Sequence, residues 1–187
     1  MTVNSVTRQT LRPGTPVDAS VVKTQGRVNH LTRANLSGYH SDGFQPASSA
    51  TQRLDPMHNY RATKDGNTYC NYFTQDYMKL RGVQNFPQMT ANDTNHWLNS
   101  RSGQRAGWRQ VSGQEAEDFV NKGGVGLVSS PNPGGHGHIA PIIEGQAVNG
   151  EPIIANAGSQ NFASGPDTAS PAFRRQNTQF FIYDPQH

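Results

Sequence analysis

The sequence predicts an α+β domain, and three observations carry that expectation. A helix with an aromatic stripe carries Cys70, the only cysteine in the chain, in its first turn. A second helical pattern opens at Ser112. From Val125 onward the text changes to short apolar runs separated by Gly-, Pro- and Asn-rich turns, the pattern of antiparallel strands. Helices first and strands after, on 187 residues, suit one layered domain with a single core.

Residues 1–52 are rich in Ser, Thr, Asn, Gln, Gly and Pro, and Val21, Val22, Val28, Leu31 and Leu36 keep no clear period. This composition reads as a polar arm or linker, partly disordered, with residues 53–187 as the folded domain. A docking or export segment is the functional alternative. The low mean hydropathy of -0.75 agrees with part of the length standing outside the core.

Leu54-Asp55-Pro56 and Lys64-Asp65-Gly66-Asn67 read as turns that lead into the Cys70 helix. There Tyr69, Phe73, Tyr77 and Leu80 recur at helical spacing and define a buried face. Asn67 and Thr68 stand where a cap would satisfy the first free N–H groups, and Gly82 supplies a left-handed stop. Asp76, further down the helix, is expected on the surface, and Tyr72 and Phe73 in the core.

Residues 83–91 read as a loop. Asn92-Asp93 is expected to cap a short helix over 94–100 that carries Trp97 and Leu98, and residues 107–111 are expected to be extended. Ser112 followed by Glu115 makes a capping box, opening a helix whose buried stripe is Ala116, Phe119 and Val120. Gly123-Gly124 closes it. Strands are expected over 125–129, 138–144, 152–156 and 178–184, with 145–150 turning the second into the third. Pro141 cannot donate to a ladder, which places it at an edge or bulge. Residues 157–177 read as a long surface loop. Trp97 and Trp108 are read as core rather than as a substrate platform.

The formal net charge of +3 is mild, only 16% of residues are charged, and no Lys/Arg run occurs, which argues against nucleic acid as a partner. A single cysteine excludes an internal disulfide. Residues 1–30 contain no apolar h-region and no run approaches ~18 apolar residues, so neither a Sec signal nor a membrane span is expected.

The chemistry centres on Cys70. The positive end of a helix dipole favours thiolate over thiol, and thiolate is the nucleophile. The competing reading is a small buried hydrophobe, which is what most lone cysteines are. The glycine-rich approach Gly134-Gly135-His136-Gly137-His138 to the apolar Ile139-Ala140 changes the balance. A histidine at the mouth of a strand facing a cysteine at the mouth of a helix is the pair used in nucleophilic catalysis.

Thr68-Tyr69-Cys70-Asn71, Gly107-Trp108, Gly137-His138-Ile139-Ala140 and Ile154-Ala155-Asn156-Ala157-Gly158 occur in this order. The set resembles the papain-like peptidoglycan hydrolases, the superfamily of the CHAP-type and NlpC-type cysteine amidases and endopeptidases, over roughly residues 55–184. The resemblance implies a papain-like fold, in which an N-terminal helix carrying the cysteine packs on a small antiparallel sheet. It implies Cys70 as nucleophile, His138 as base and Asn156 as the residue that orients the imidazole. The backbone N–H of Cys70 would receive the oxyanion, with Asn67 or Tyr69 as the second donor. His136 is the rival histidine, set aside because the family's histidine directly precedes the apolar pair. Glu144 is the rival third member, set aside because six residues along one strand is about 20 Å.

The function implied is cleavage of an amide bond in bacterial peptidoglycan or its stem peptides, with no metal or other cofactor. A diffuse positive charge suits such an anionic polymer. Synthesis in the cytoplasm and action in the periplasm or cell wall, as a secreted antibacterial effector or a phage lytic enzyme, is the matching expectation. An inhibitor or immunity protein is a candidate partner. The alternatives are a metal-dependent hydrolase using His136 and His138 with His58, His96 or Cys70, and a non-catalytic cell-wall-binding module. Acyl transfer of the transglutaminase kind would use the same residues.

Overall fold

A computed structural model of the chain describes residues 46–163, 173 and 177–185, together with two strands at 21–24 and 27–30. Most of the stretch read as an arm, and much of the 157–177 loop, lie outside the described residues. In chain order the elements are β1 (Val21–Thr24), β2 (Arg27–His30), α1 (Ala47–Leu54), α2 (Pro56–Asn59), α3 (Cys70–Leu80), α4 (Ala91–Leu98) and α5 (Arg101–Arg105). They continue with β3 (Trp108–Val111), α6 (Gly113–Asn121), β4 (Val125–Ser130), β5 (His138–Ile142), β6 (Asn156–Ala157), β7 (Asn161–Phe162) and β8 (Gln179–Tyr183). The architecture is mixed α+β with a small antiparallel sheet and several helices. Among the described residues no helix is long and apolar enough to cross a membrane.

The main sheet has the order β3-β8-β4-β5, and every neighbour pair in it is antiparallel. Strand β4 is buried at every position, its two terminal serines included. The reason is visible in its alternation. Gly126 faces Val120 of α6, while the Ser129 hydroxyl accepts from Asn95 of α4 at 3.2 Å. Residues 126 and 129 point to opposite faces of a strand, so β4 lies between α6 and α4. A separate two-stranded ribbon, β1-β2, pairs Val21 with His30.

Helix α3 is the central helix. Phe73, Tyr77 and Met78 are fully buried, and it lies between α1 and β5. The aromatic stripe is the predicted one, and Tyr60 adds an edge-on ring to Phe73 at 5.3 Å. Gly82, at φ +73, ends the helix in a Schellman motif: its N–H binds Lys79 O, and that of Val83 binds Met78 O. Arg81 folds back, donating to the Tyr77 hydroxyl and to the carbonyls of Gly123 and Gly124 beyond α6.

Several expectations are corrected. Asp76 is not on the surface: it is 1% exposed, accepts from the Tyr60 hydroxyl at 2.7 Å and pairs with Lys79 at 3.1 Å. The expectation missed it because α3 is covered on a second side by the α1–α2 segment. Neither Asn67 nor Thr68 caps α3; Tyr69 is the N-cap, without a side-chain bond, and the Asn67 amide binds Asp65. Helix α4 starts earlier than predicted, with Thr90 as its cap. Over 152–156 the ladder is broken: Ile142 bridges Ile154, Ile143 N–H binds Ile153 O, and Ala155 N–H binds Pro141 O. Pro141 and Pro152 lack the N–H groups that a continuous ladder needs. Pro141 does lie on an edge, since β5 is the outer strand of the sheet.

Ser112 caps α6 by accepting from Glu115 N–H at 3.1 Å, but the Glu115 carboxylate binds Arg109 instead of closing the box. Trp108 is core at 1% exposure, as expected. Glu144 has a structural role. Its carboxylate accepts from the N–H groups of Ala47 and Ser48, the latter at 2.8 Å, and so caps α1 from a distant part of the chain. Ala47, Ala50 and Thr51, all before residue 53, are buried there.

Candidate active site

Cys70 is the first residue of α3, so the helix dipole points its positive end at the sulfur. A side-chain cap would compete for that end, and none is present. His138 is the first residue of β5, fixed by pairing with Ser130. These two groups, 68 positions apart, meet: the His138 imidazole hydrogen-bonds the Cys70 thiol. The backbone N–H groups of Ile139 and Asn71 are also directed at the sulfur.

The other side of the ring is held by Asn156. His138 Nε2 donates to Asn156 Oδ1 at 2.7 Å, and Asn156 Nδ2 donates to Gln160 O at 2.6 Å. The second bond settles which end of the amide faces the ring. With Nε2 carrying a proton toward Asn156, Nδ1 is the nitrogen left for the thiol. Asn156 is itself buried, 3% exposed. Gly158 and the ring of Phe173, 4.7 Å from the imidazole centroid, cover His138.

The electrostatics follow from this geometry. Burial pushes the Cys70 thiol up, but the charge and hydrogen bond of His138 and the two backbone donors outweigh it and leave the thiol below its ordinary value. Burial pushes His138 down, while the Cys70 charge, the Cys70 hydrogen bond and the Asn156 bond leave it raised. The two shifts have opposite signs, which favours a thiolate–imidazolium pair.

Cys70, 4% exposed, lines a groove of about 1130 Å³. One wall is 66–72 with Gln75, and the other runs through 88–93 and Trp97 to the 135–137 loop. No Lys or Arg lines it, and Asp93 is its one acidic residue. The second wall is braced from α3: Asn71 and Gln75 both donate to Met89 O, at 3.0 and 3.3 Å. Asn92, expected as a helix cap, instead organises the loop before His138. Its Nδ2 donates to the carbonyls of Asn132 and Gly135, and its Oδ1 accepts from Asn132 N–H at 2.8 Å. A Cβ on Gly137 would run into Asn92 Oδ1, which accounts for the glycine there. Sequence reasoning missed this role, since no local pattern pairs residues 92 and 132.

Of the remaining sequence candidates, Tyr69 and Asn67 both line the groove beside Cys70. Burial, then Asp65 and Tyr72, raise the Tyr69 hydroxyl and keep it a proton donor. Trp97, read as core, is half-buried and lines the groove, with its ring against Phe86 at 6.0 Å. His136 is exposed at the groove lip. His58 is bound to Asp55 on the surface, and His96 is exposed on α4. Among the described residues no three His, Cys, Asp or Glu side chains gather into a metal-ligand set. Compared with models of protein families and with curated proteins, the chain matches none.

Proposed function

We propose that the protein is a cysteine hydrolase of papain-like fold that cleaves an amide bond in bacterial peptidoglycan. The observation that carries the reading is the relay Cys70–His138–Asn156, with Cys70 at a helix N-terminus and lining a groove. In this reading the Cys70 thiolate attacks the scissile carbonyl, forming a C–S bond while the carbonyl electrons move onto oxygen. The Cys70 N–H receives that oxyanion in this reading, with Tyr69 or Asn67, which line the groove beside it, as the second donor. The C–N bond then breaks, and His138 Nδ1 gives its proton to the leaving amine. Water, deprotonated by His138, cleaves the resulting thioester and returns the thiol.

The substrate class rests on the resemblance to peptidoglycan hydrolases and on the lining of the groove. Its walls combine neutral amides and hydroxyls with three aromatic rings, those of Tyr69, Tyr72 and Trp97, surfaces suited to a peptide bearing sugar. The test is digestion of purified sacculi with muropeptide analysis by mass spectrometry. The wild type is expected to release fragments and Cys70→Ala none. Equal release by both proteins rejects the mechanism, and the fragment masses identify the bond.

A further inference from the structure

Asn161 lies outside the relay, yet its side chain makes three hydrogen bonds in two directions. Oδ1 accepts from Gly158 N–H at 2.9 Å, within the turn that joins β6 to β7. Nδ2 donates to Pro56 O at 2.8 Å and Tyr60 O at 2.9 Å, at the two ends of α2. The turn it holds carries Asn156, and Gly158 lies against the imidazole, where a Cβ would stand 3.1 Å from His138 Cε1. Tyr60 in turn donates its hydroxyl to Asp76 of α3, the helix that begins with Cys70. The contacts close a circuit: Cys70, His138, Asn156, the 156–161 turn, Asn161, Tyr60, Asp76, and back along α3 to Cys70.

We infer that Asn161 is a positioning residue for His138, locking the turn that carries Asn156 to the α2–Tyr60 segment and through it to the helix of the nucleophile. The inference deepens the cysteine-hydrolase reading and rests on it. Strand pairing alone is a weak lock there, because β6 and β7 are two residues each. Without Asn161 the turn keeps the Asn156–Gln160 bond but loses its anchor, so Oδ1 of Asn156 no longer has a fixed place relative to the sulfur. A displacement on the order of 1 Å in such a relay costs up to about 100-fold in rate.

The experiment is the pH profile of Cys70 alkylation by iodoacetamide in the full chain, read beside the melting temperature. Asn161→Ala removes all three bonds; Asn161→Asp keeps the Gly158 acceptor and loses the two donations. Wild type is expected to react well below the ~8.5 of an ordinary thiol. Asn161→Ala is expected to lose about 10- to 100-fold of that acid-side reactivity, with its midpoint moving toward ~8.5. Asn161→Asp should fall between the two, and it serves as the test if Asn161→Ala does not fold. Adding Asn156→Ala to either variant should cost little more, since both act through one ring. A residue with a merely structural role would lower the melting temperature and leave the profile of the folded protein unchanged; that result overturns the inference alone. A wild-type profile already at ~8.5 overturns both it and the proposed function.

Discussion

His138 and Asn156 are joined at 2.7 Å by a bond whose polarity is set from behind, since the Asn156 amide nitrogen is committed to Gln160 O. The ring therefore has one orientation and one preferred neutral tautomer, with Nδ1 open to the sulfur. A neutral amide orients an imidazolium without neutralising it, so its charge stays available to the thiolate.

The pH behaviour follows. Cys70 is depressed and His138 raised, so the ion pair exists between the two values. Amide cleavage should rise as pH climbs through the depressed Cys70 value and fall as it climbs through the raised His138 value. Alkylation should share the acid limb only, because thiolate persists at high pH. Asn156→Ala removes one of the groups that raise His138 and should bring the basic limb to lower pH. Its kcat should fall about 10- to 100-fold with KM little changed. Steady-state kinetics across pH check this; an unmoved basic limb rejects the role given to Asn156.

Gly158→Ala tests the packing around the ring. The added Cβ would sit 3.1 Å from His138 Cε1 and 3.2 Å from Asn156 Nδ2, closer than ordinary contact. The imidazole or the amide must then shift. The expected outcome is a loss of about 1–3 kcal/mol in stability together with a drop in kcat, checked by denaturant melts and turnover. An alanine variant with wild-type turnover would mean that the turn yields easily.

Glu144 gives a prediction about acid stability. Burial pushes its carboxyl up, but the Ser48 N–H, its own N–H, the Ala47 N–H and the Ser48 hydroxyl together outweigh this and leave it lowered. A carboxylate with a depressed folded value contributes its stability above the ordinary glutamate range. That contribution is lost as pH falls through the depressed value. Glu144→Ala should cost about 1 kcal/mol at neutral pH and much less in acid, since it removes a cap. Urea melts at two pH values measure it, and an equal loss at both would contradict the assignment.

Tyr60→Phe removes the hydroxyl that Asp76 accepts, leaving a buried carboxylate with Lys79. The expected cost is about 1–3 kcal/mol. The Tyr60 hydroxyl is also the link from the Asn161 anchor to α3, so alkylation of the folded variant should lose part of its acid-side reactivity, less than in Asn161→Ala because the Tyr60 carbonyl still binds Asn161. Melting and alkylation on the same sample separate the two effects.

The parts of this structure legible in the sequence are those set by local periodicity. The aromatic stripe of α3, the Ser112 cap, the Gly82 stop and the strand that begins at His138 all follow from spacing over a few residues. Cys70, His138 and Asn156 were each readable as candidates, and the structure brings all three together. What sequence did not show depends on partners far along the chain. Asp76 reads as solvated until Tyr60 and the α1–α2 segment cover it. Asn92 reads as a cap until the 132–137 loop folds onto it. Glu144 reads as a rival to Asn156 for the third, orienting place, yet its partners are two N–H groups that lie 96 and 97 residues earlier. Trp97 faces a groove whose other wall lies beyond its own helix.

The Glu144 cap also bears on how the chain is made. Helix α1 has eight residues, too few to persist alone in water, and its N-terminal N–H groups are held by a carboxylate near the end of the fifth strand. A nascent chain leaving the ribosome therefore exposes the α1 segment nearly a hundred residues before that cap is synthesised. Cys70 leaves ahead of both His138 and Asn156. The charge and hydrogen bond that His138 brings to the sulfur, and the Asn156 bond behind the ring, therefore form only after the last third of the chain has arrived.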